Sequence, residues 1–425
     1  MAFQETVTTG YGQRLSGGFG GIWQGLLLII GATVAIWWNE GRAVKTADAI
    51  KDAKGAAVEM TDNSTINPQF EGKLIHTMGM LTCDETIADQ QFGVQVQGAI
   101  RIARSVEYYQ WVEHSESHTE DKVGGSQETT TTYTYDKQWV SSPVESADFH
   151  DPDYKSVNTV ITSVPNERFR ASRVKLGAYN LNSAQISGFS NGANLPISVP
   201  EETLAQLQQK YSANFQADST GNKPQVVSTS GNVIYIGQSA AAPQIGDVRI
   251  SYVTHMPTTV SVVCQVCGDT FTDYLADNGE AFSAMENGAV PAAQMFQNAE
   301  QSNTILTWVL RIIIIIFIFN GFKSLFNFLP ALTNFLPFLS TILNFGVKLV
   351  AGVLTAIWAG FWIALAWLFY RPIISIIILA VVGVIVFFVI KKKKESSAAA
   401  PAPAPVSAAP VSEAQQQNQN PTPQQ

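Results

Sequence analysis

An apolar, uncharged stretch long enough to cross a bilayer constrains a chain more than any other sequence feature. Lipid offers the backbone no hydrogen-bond partner, so about 20 such residues are driven into a helix. Four stretches qualify here: 20–38, 305–322, 349–369 and 373–390. The first, GGIWQGLLLIIGATVAIWW, reads as an uncleaved helix rather than a signal peptide. Only Arg14 precedes it, no small-residue cleavage site follows, and Trp37 and Trp38 sit where interfacial anchors belong. The second contains a run of isoleucines at positions 312–316. Tyr370, Arg371 and Pro372 separate the last two, and a charge followed by proline signals a hairpin.

Charged residues make up 14% of the chain, against about 25% in soluble domains, and the deficit is concentrated between Lys323 and Lys391. A polar domain joined to a membrane module follows. Lys391, Lys392, Lys393 and Lys394 come directly after the last span and place the C-terminus on the cytoplasmic side. Counting back puts the domain, 39–304, outside and the N-terminal segment, 1–19, in the cytoplasm. Arg42, Lys45, Lys51 and Lys54 point the other way. Asp48, Asp52 and Glu59 accompany them, and a long domain translocates regardless of such charges. Pro330 and Pro337 break the apolar segment 323–348, which is expected to be interfacial or re-entrant. The Ala/Pro/Gln tail, 391–425, is expected to be a disordered cytoplasmic tail. Arg311 lies one turn into the second span. It is a candidate functional charge, with snorkelling toward Thr304, Thr307 and the interface as the favoured reading.

Between the first two spans, residues 43–60 have helical spacing. Period-2 alternation at 72–81, 92–113, 129–140, 246–253 and 258–268 predicts strands. The fold class is therefore an α+β membrane protein, with one N-terminal and three C-terminal transmembrane helices flanking a mostly β extracytoplasmic domain. GKLIHTMG leading to AIRIA resembles GNVIYIG leading to DVRIS, which suggests either two pseudo-symmetric halves or chance likeness between strands.

The chemistry-bearing residues are sparse. Cys264 and Cys267 form a C-x-x-C, but no second ligand pair appears, and positions three apart on a strand point to opposite faces. Cys83 completes a set too small for a disulfide framework. His114 and His118, beside Glu113 and Glu116, mimic helical metal-ligand spacing. The polar stretch after them predicts a solvated hairpin loop instead. His76 and His150 have no evident partner. Trp111 with Glu113, and Arg101 with Glu107, are expected to form a packed or paired sheet face. Asn63-Ser64-Thr65 is a glycosylation acceptor on the outer side, relevant in a eukaryote. No metal and no cofactor are expected, and a net charge of −8 argues against nucleic acid as a partner.

Several segments together are similar to the transmembrane protein 43 family, also called LUMA: WNEGRAVKTA (38–47), GKLIHTMG (72–79), FGV with RSVEYYQWVE (92–94, 104–113), and WLFYRP (367–372). The resemblance runs over about residues 5–390 in the same order. It marks Asn39, Glu40, Gly41, Arg42, Arg371 and Pro372 as membrane-proximal signature positions, and Gln110, Trp111 and Glu113 as signature positions in the domain. It implies a multi-span protein without accepted catalytic activity, which in animals organises protein complexes of the endoplasmic reticulum and inner nuclear membrane with lamins and emerin. The C-Q-V-C strand and the Ala/Pro/Gln tail depart from the animal pattern and look bacterial. In a bacterium the setting is the inner membrane with a periplasmic domain, and lamin and emerin binding does not carry over.

The leading expectation is a non-enzymatic scaffold that self-associates as a homo-oligomer and organises a membrane patch or protein complex, its partners being membrane lipids and unidentified membrane or envelope proteins. The small residues Gly17, Gly18, Gly20, Gly21 and Gly25 would allow close helix packing. A lipid-binding or lipid-transport protein is the rival, motivated by residues 326–345 with Phe335 and Phe338. An envelope hydrolase would require His76, Glu113 and His114 in one polar cleft.

Overall fold

The computed structural model describes residues 2–327 except 214 and 217–222, then 329, 337–372, 376–377, 380 and 384. Helix α1 (Tyr11–Ala56) is continuous over 46 residues, about 69 Å at 1.5 Å per residue. The sequence separates the span 20–38 from the helix at 43–60. No proline intervenes, and Glu40, Arg42 and Lys45 are good helix formers, so one helix runs through both. The other helices are α2 (Ser183–Gly188), α3 (Glu201–Ser212), α4 (Ala292–Phe326) and α5 (Pro337–Tyr370).

Three helices, α1, α4 and α5, are long and apolar enough to cross a membrane. The chain is an integral, multi-pass membrane protein. The fourth expected span, 373–390, lies mostly outside the described residues, and the tail 391–425 lies wholly outside them. Of the expected interfacial segment 323–348, the described ends belong to α4 and α5, while residues 328 and 330–336 are not described. The chain divides at Ala366 into two compact units.

The chain between α1 and α4, with β1 added from before α1, forms two principal sheets. The first runs in the order β1 (Phe3–Thr9), β7 (Gln127–Val140), β6 (Arg101–Asp121), β14 (Val248–His255), β13 (Val233–Ile236), β12 (Val227–Ser230). Strand β8 (Glu167–Arg170) joins it at β6 and β11 (Gly192–Asn194) at β14. The second runs β19 (Ala284–Asn287), β15 (Thr259–Cys267), β16 (Thr270–Thr272), β10 (Tyr179–Asn180), β9 (Lys175–Leu176), β3 (Leu74–Thr82), β2 (Val58–Glu59), with β15 also pairing β3. Two small ribbons, β4 (Thr86–Asp89) with β5 (Val94–Gln97) and β17 (Tyr274–Leu275) with β18 (Ala281–Phe282), complete the β structure. The predicted strands are all present. Of the two readings of the internal likeness, chance between strands is the one that fits the topology. β13 and β14 are neighbours in the first sheet, whereas β3 and β6 belong to different sheets.

Apolar residues alternate inward as the period-2 pattern requires. Ile75, Val262, Cys264 and Leu176 of the second sheet meet Ile102 of the first, and Ile100 just before β6, in one core. Val106, Tyr108, Val248 and Ile250 turn to a second core capped by Leu207 and Tyr211 of α3. A third joins Ile50 and Ala53 of α1 to Met295 and Phe296 of α4, against Leu74 and Val263. Helices α1 and α4 are thus rooted on the outer face of the second sheet. His76 reinforces that root. Its Nδ1 lies 2.8 Å from the Glu59 carboxylate just past α1, and its Nε2 lies 3.0 Å from the Val290 carbonyl just before α4.

The expected solvated hairpin after His114 is present, but its loop is confined to residues 122–126 and the rest of the stretch is regular strand. β6 continues to Asp121, and β7 resumes at Gln127. Serine and threonine hydroxyls pair across the ribbon, Ser117 with Thr131 at 2.9 Å and Thr119 with Thr129 at 3.2 Å. β-branched threonine favours the extended state, and such cross-strand pairs let polar residues sustain it. His114 pairs with Asp136 at 2.7 Å on the surface, and His118 sits beside Glu120. Glu107 pairs with Arg249 rather than Arg101, whose guanidinium donates to the Ser187 and Phe189 carbonyls and to His255. Asn63 is engaged too, its amide donating to Thr77 Oγ1 at 3.0 Å.

His255 supplies a pH dependence. Burial lowers its pKa below the usual 6.5, and the Arg101 guanidinium lowers it further. The folded chain holds the neutral ring, so the unfolded chain takes up the proton first as pH falls. This contribution to stability is full above about pH 6.5 and declines as pH drops from there through the lowered folded value. Melting temperature measured at pH 7.5 and 5.5 should fall less in His255→Gln than in the parent chain. An equal fall in both would show that His255 has no part in it.

Candidate functional site

The membrane-proximal signature residues meet the start of the next span. α1 and α4 lie against each other, and residues 303, 307 and 311 form one stripe along α4 at i, i+4 and i+8. The Asn39 amide donates to the Thr307 carbonyl at 3.2 Å. Arg42 donates through Nη1 to Asn303 Oδ1 at 3.0 Å and through Nη2 to Thr307 Oγ1 at 2.9 Å. Asn303 returns a bond to the Ala43 carbonyl at 2.9 Å. Gly41 is buried among them.

One turn deeper, Arg311 forms a two-pronged ion pair with Glu40, Nε to Oε1 and Nη2 to Oε2, both at 2.6 Å. The side chains are 11% and 3% exposed, so this pair is buried. The favoured expectation that Arg311 snorkels is therefore corrected: its carboxylate partner lies on the neighbouring helix. Trp308 places its ring 4.9 Å from the guanidinium carbon. The two charges, though not their pairing, were visible in the sequence. Glu40 and Arg311 carry opposite charges at the same end of two spans that run in opposite directions, and neither charge is affordable alone in that position.

The same helix pair shows where the small residues of the first span go. A Cβ on Gly25 would lie 2.6 Å from the Gly321 carbonyl oxygen, and a Cβ on Gly321 would lie 2.7 Å from Ile29. Gly21 comes close to the Ser324 carbonyl. Close approach at Gly21 and Gly25 thus serves packing inside the chain, while Gly17 and Gly20 face open space. α5 adds to the bundle through Ala359, which packs with Ala32, Ile36, Ile314 and Ile318, and through Trp358, whose indole N–H donates to Thr33 Oγ1 at 2.9 Å.

The domain signature residues form a second cluster, which pins residues 141–166 to the ribbon. Gln110 is fully buried; its amide donates to the Thr159 carbonyl, and its oxygen accepts from Val144 N–H. Asn158 grips both backbone groups of Trp111, accepting from its N–H at 2.9 Å and donating to its carbonyl at 3.0 Å. Glu113 accepts from the Tyr135 hydroxyl at 2.6 Å and from the His150 backbone N–H at 2.7 Å, and its other oxygen lies 2.9 Å from His150 Nδ1. Trp111 meets Tyr154 edge-on and carries the Lys137 ammonium over its ring. The expected packed face of Trp111 and Glu113 is present, and His150 finds its partner there.

His76, Glu113 and His114 do not share a cleft. His76 binds Glu59 in the second sheet, Glu113 binds Tyr135 and His150, and His114 lies on the opposite face of β6 with Asp136. Cys264 is buried and Cys267 exposed, on opposite faces of β15, and Cys83, Cys264 and Cys267 are all free thiols. Burial pushes the Cys264 thiol well above its ordinary value. Among the described residues, no group of three or more histidine, cysteine or acidic side chains could hold a metal. At the last signature position, Arg371 N–H donates to the Trp367 carbonyl at 2.7 Å, closing α5, and Pro372 follows. Phe335 is not described, nor is the side chain of Phe338.

Comparison with known proteins places these features. A family model described as Transmembrane protein 43 matches residues 108–372. The chain is 28% identical over 381 residues to Transmembrane protein 43 of Homo sapiens, covering 89% of this chain and 92% of that one. The Mus musculus protein of the same name gives the same figures. The Drosophila melanogaster homolog is 24% identical over 302 residues, 70% of this chain and 74% of that one. No solved structure matches the chain.

Proposed function

The chain belongs to the transmembrane protein 43 family, and on that footing we propose that it is a non-enzymatic membrane scaffold. Its domain would stand on the non-cytoplasmic side and gather copies of itself and other membrane proteins within the surrounding lipid. The observation that supports this reading is how the signature side chains spend their polar groups. Asn39, Glu40 and Arg42 fasten α1 to α4, and Gln110, Trp111 and Glu113 fasten residues 141–166 to the ribbon. Function is argued from sites rather than from fold, and these sites hold elements in place. A rigid body with a fixed membrane root suits a platform.

Crosslinking in native membranes, followed by identification of the captured proteins, tests it. Reproducible capture of the chain itself or of particular neighbours is expected. Strictly monomeric chain with no reproducible capture would sink the reading.

A further inference from the structure

The N-terminal strand does something the expected topology does not provide for. β1, which precedes the first span, pairs with β7 over its full length, from Phe3↔Tyr133 to Thr9↔Gln127. Arg14, near the start of α1, forms an ion pair with Asp121 at 2.8 Å and donates to the Gly125 carbonyl at the hairpin tip. At the other end, Met60, just past α1, shares a core with Ile100 and Ile102, where β6 begins. α1 and β6 are therefore tied together at both ends.

Their lengths agree. The 46 residues of α1 and the 21 of β6 each extend about 69 Å. Measured from Arg14, the apolar stretch 20–38 occupies about 9 to 36 Å along the helix. The ribbon at those distances from Asp121 corresponds to about residues 118 back to 110 of β6. Glu113, His114, Ser115, Glu116, Ser117 and His118 are thus as far from the Arg14–Asp121 ion pair as the apolar stretch of the helix is. If the N-terminal segment and the body of the domain lie on opposite faces of the membrane, the ribbon that joins them crosses it as well.

A three-stranded ribbon cannot do that alone, since an open strand edge leaves backbone groups unpaired in hydrocarbon. This ribbon has two such edges. On β6, Tyr109 is bonded to Gly246 and Asp247, and Trp111 to Asn158. From Glu113 to Asp121 no strand lies on that side among the described residues. This open run is about 30 Å long, close to the thickness of the hydrocarbon core. The outer edge of β1 is likewise open. Both β1 and β6 are antiparallel to β7, so they run parallel to each other and stand at the same height. Each edge therefore matches the opposite edge of an identical chain, a head-to-tail contact of the kind that makes a ring where the rotation between copies closes.

We propose that the ribbon of β1, β7 and β6 crosses the bilayer beside α1, and that copies join the β1 edge of one chain to the β6 edge of the next, closing a barrel. One ribbon face carries Phe3, Val7 and Tyr133 among Glu5, Ser115, Ser117 and Thr119, and is the less charged of the two. The other carries Glu116, His118, Glu120 and Glu128 and suits a water-filled interior. The inference rests on the self-association in the scaffold reading and names the surface that performs it.

The test uses the full chain in sealed membrane vesicles of either orientation. An impermeant maleimide is applied and the labelled peptides are mapped by mass. Native Cys267, exposed on the domain, is the reference. Val123→Cys, at a tip position 82% exposed, reports on the ribbon. The tip thiol should label from the face opposite to Cys267; labelling of both from one face overturns the proposal. Glu5→Cys combined in turn with Ser115→Cys, Ser117→Cys and Thr119→Cys, oxidised in the membrane, reports on the edges. At least one pair should yield a covalent ladder beyond the dimer, and products that stop at monomer or dimer for all three overturn the ring. If partners are captured by general crosslinking but no ladder forms, only the edge contact fails. If neither occurs, the scaffold reading fails with it.

Discussion

Glu40→Ala should destabilise the chain by about 3–5 kcal/mol, the usual cost of leaving one member of a buried ion pair without its partner. The Arg311 guanidinium would remain near the membrane with both prongs of its carboxylate contact gone. Snorkelling away would break its packing on Trp308. Arg311→Ala should cost a similar amount for the converse reason. Replacing both charges with apolar residues of similar size, Glu40→Leu with Arg311→Met, should recover most of the loss, because a buried pair repays little beyond its own desolvation. Thermal unfolding in detergent and the steady-state amount in membranes measure this. The outcome that counts against it is a double variant no more stable than either single one.

Gly25→Leu should prise α1 from α4. The first added carbon already meets the Gly321 carbonyl at 2.6 Å and the Leu325 backbone nitrogen at 3.0 Å. Both are backbone atoms, which cannot rotate aside as a flexible side chain would. Overpacking of this kind costs about 1–3 kcal/mol or more. The lever here is long, since the same helix pair carries the Glu40–Arg311 contact and the root at Ile50 and Phe296. Gly321→Leu should behave alike, meeting Ile29 and the Gly25 carbonyl. Gly20→Ala is the control: nothing lies within 4 Å of its added carbon, and alanine has the better helix propensity. Equal loss of stability in Gly20→Ala and Gly25→Leu would mean that helix contact is not what Gly25 provides.

Both arguments turn on pairings that no local pattern shows. Glu40 could be read from the chain as a charge beside a span and Arg311 as a charge within one, yet their meeting requires knowing that α1 and α4 are antiparallel neighbours in register. Glycines at 17, 20, 21 and 25 look interchangeable in sequence; only the crossing point of a second helix separates Gly25 from Gly20. The stretch after His114 reads as loop because its polar composition imitates one, and the cross-strand hydroxyl pairs of β6 and β7 that keep most of it extended join residues 10 and 14 positions apart. His76 and His150 had visible chemistry and no visible partner for the same reason.

What the sequence determined by itself was the class of the chain and its broad plan: helices in lipid, a β domain between the first and second spans, and the family. Those follow from hydrocarbon-length apolar runs, from alternation along strands and from shared local segments, each of which acts over one stretch of chain. Only the tertiary structure decided which charges neutralise each other, which glycines are crowded, and that β1 reaches the tip of a ribbon more than a hundred residues away. Such contacts depend on where distant segments arrive once packed, and the free energy that selects them resides in the assembled whole rather than in any stretch of it.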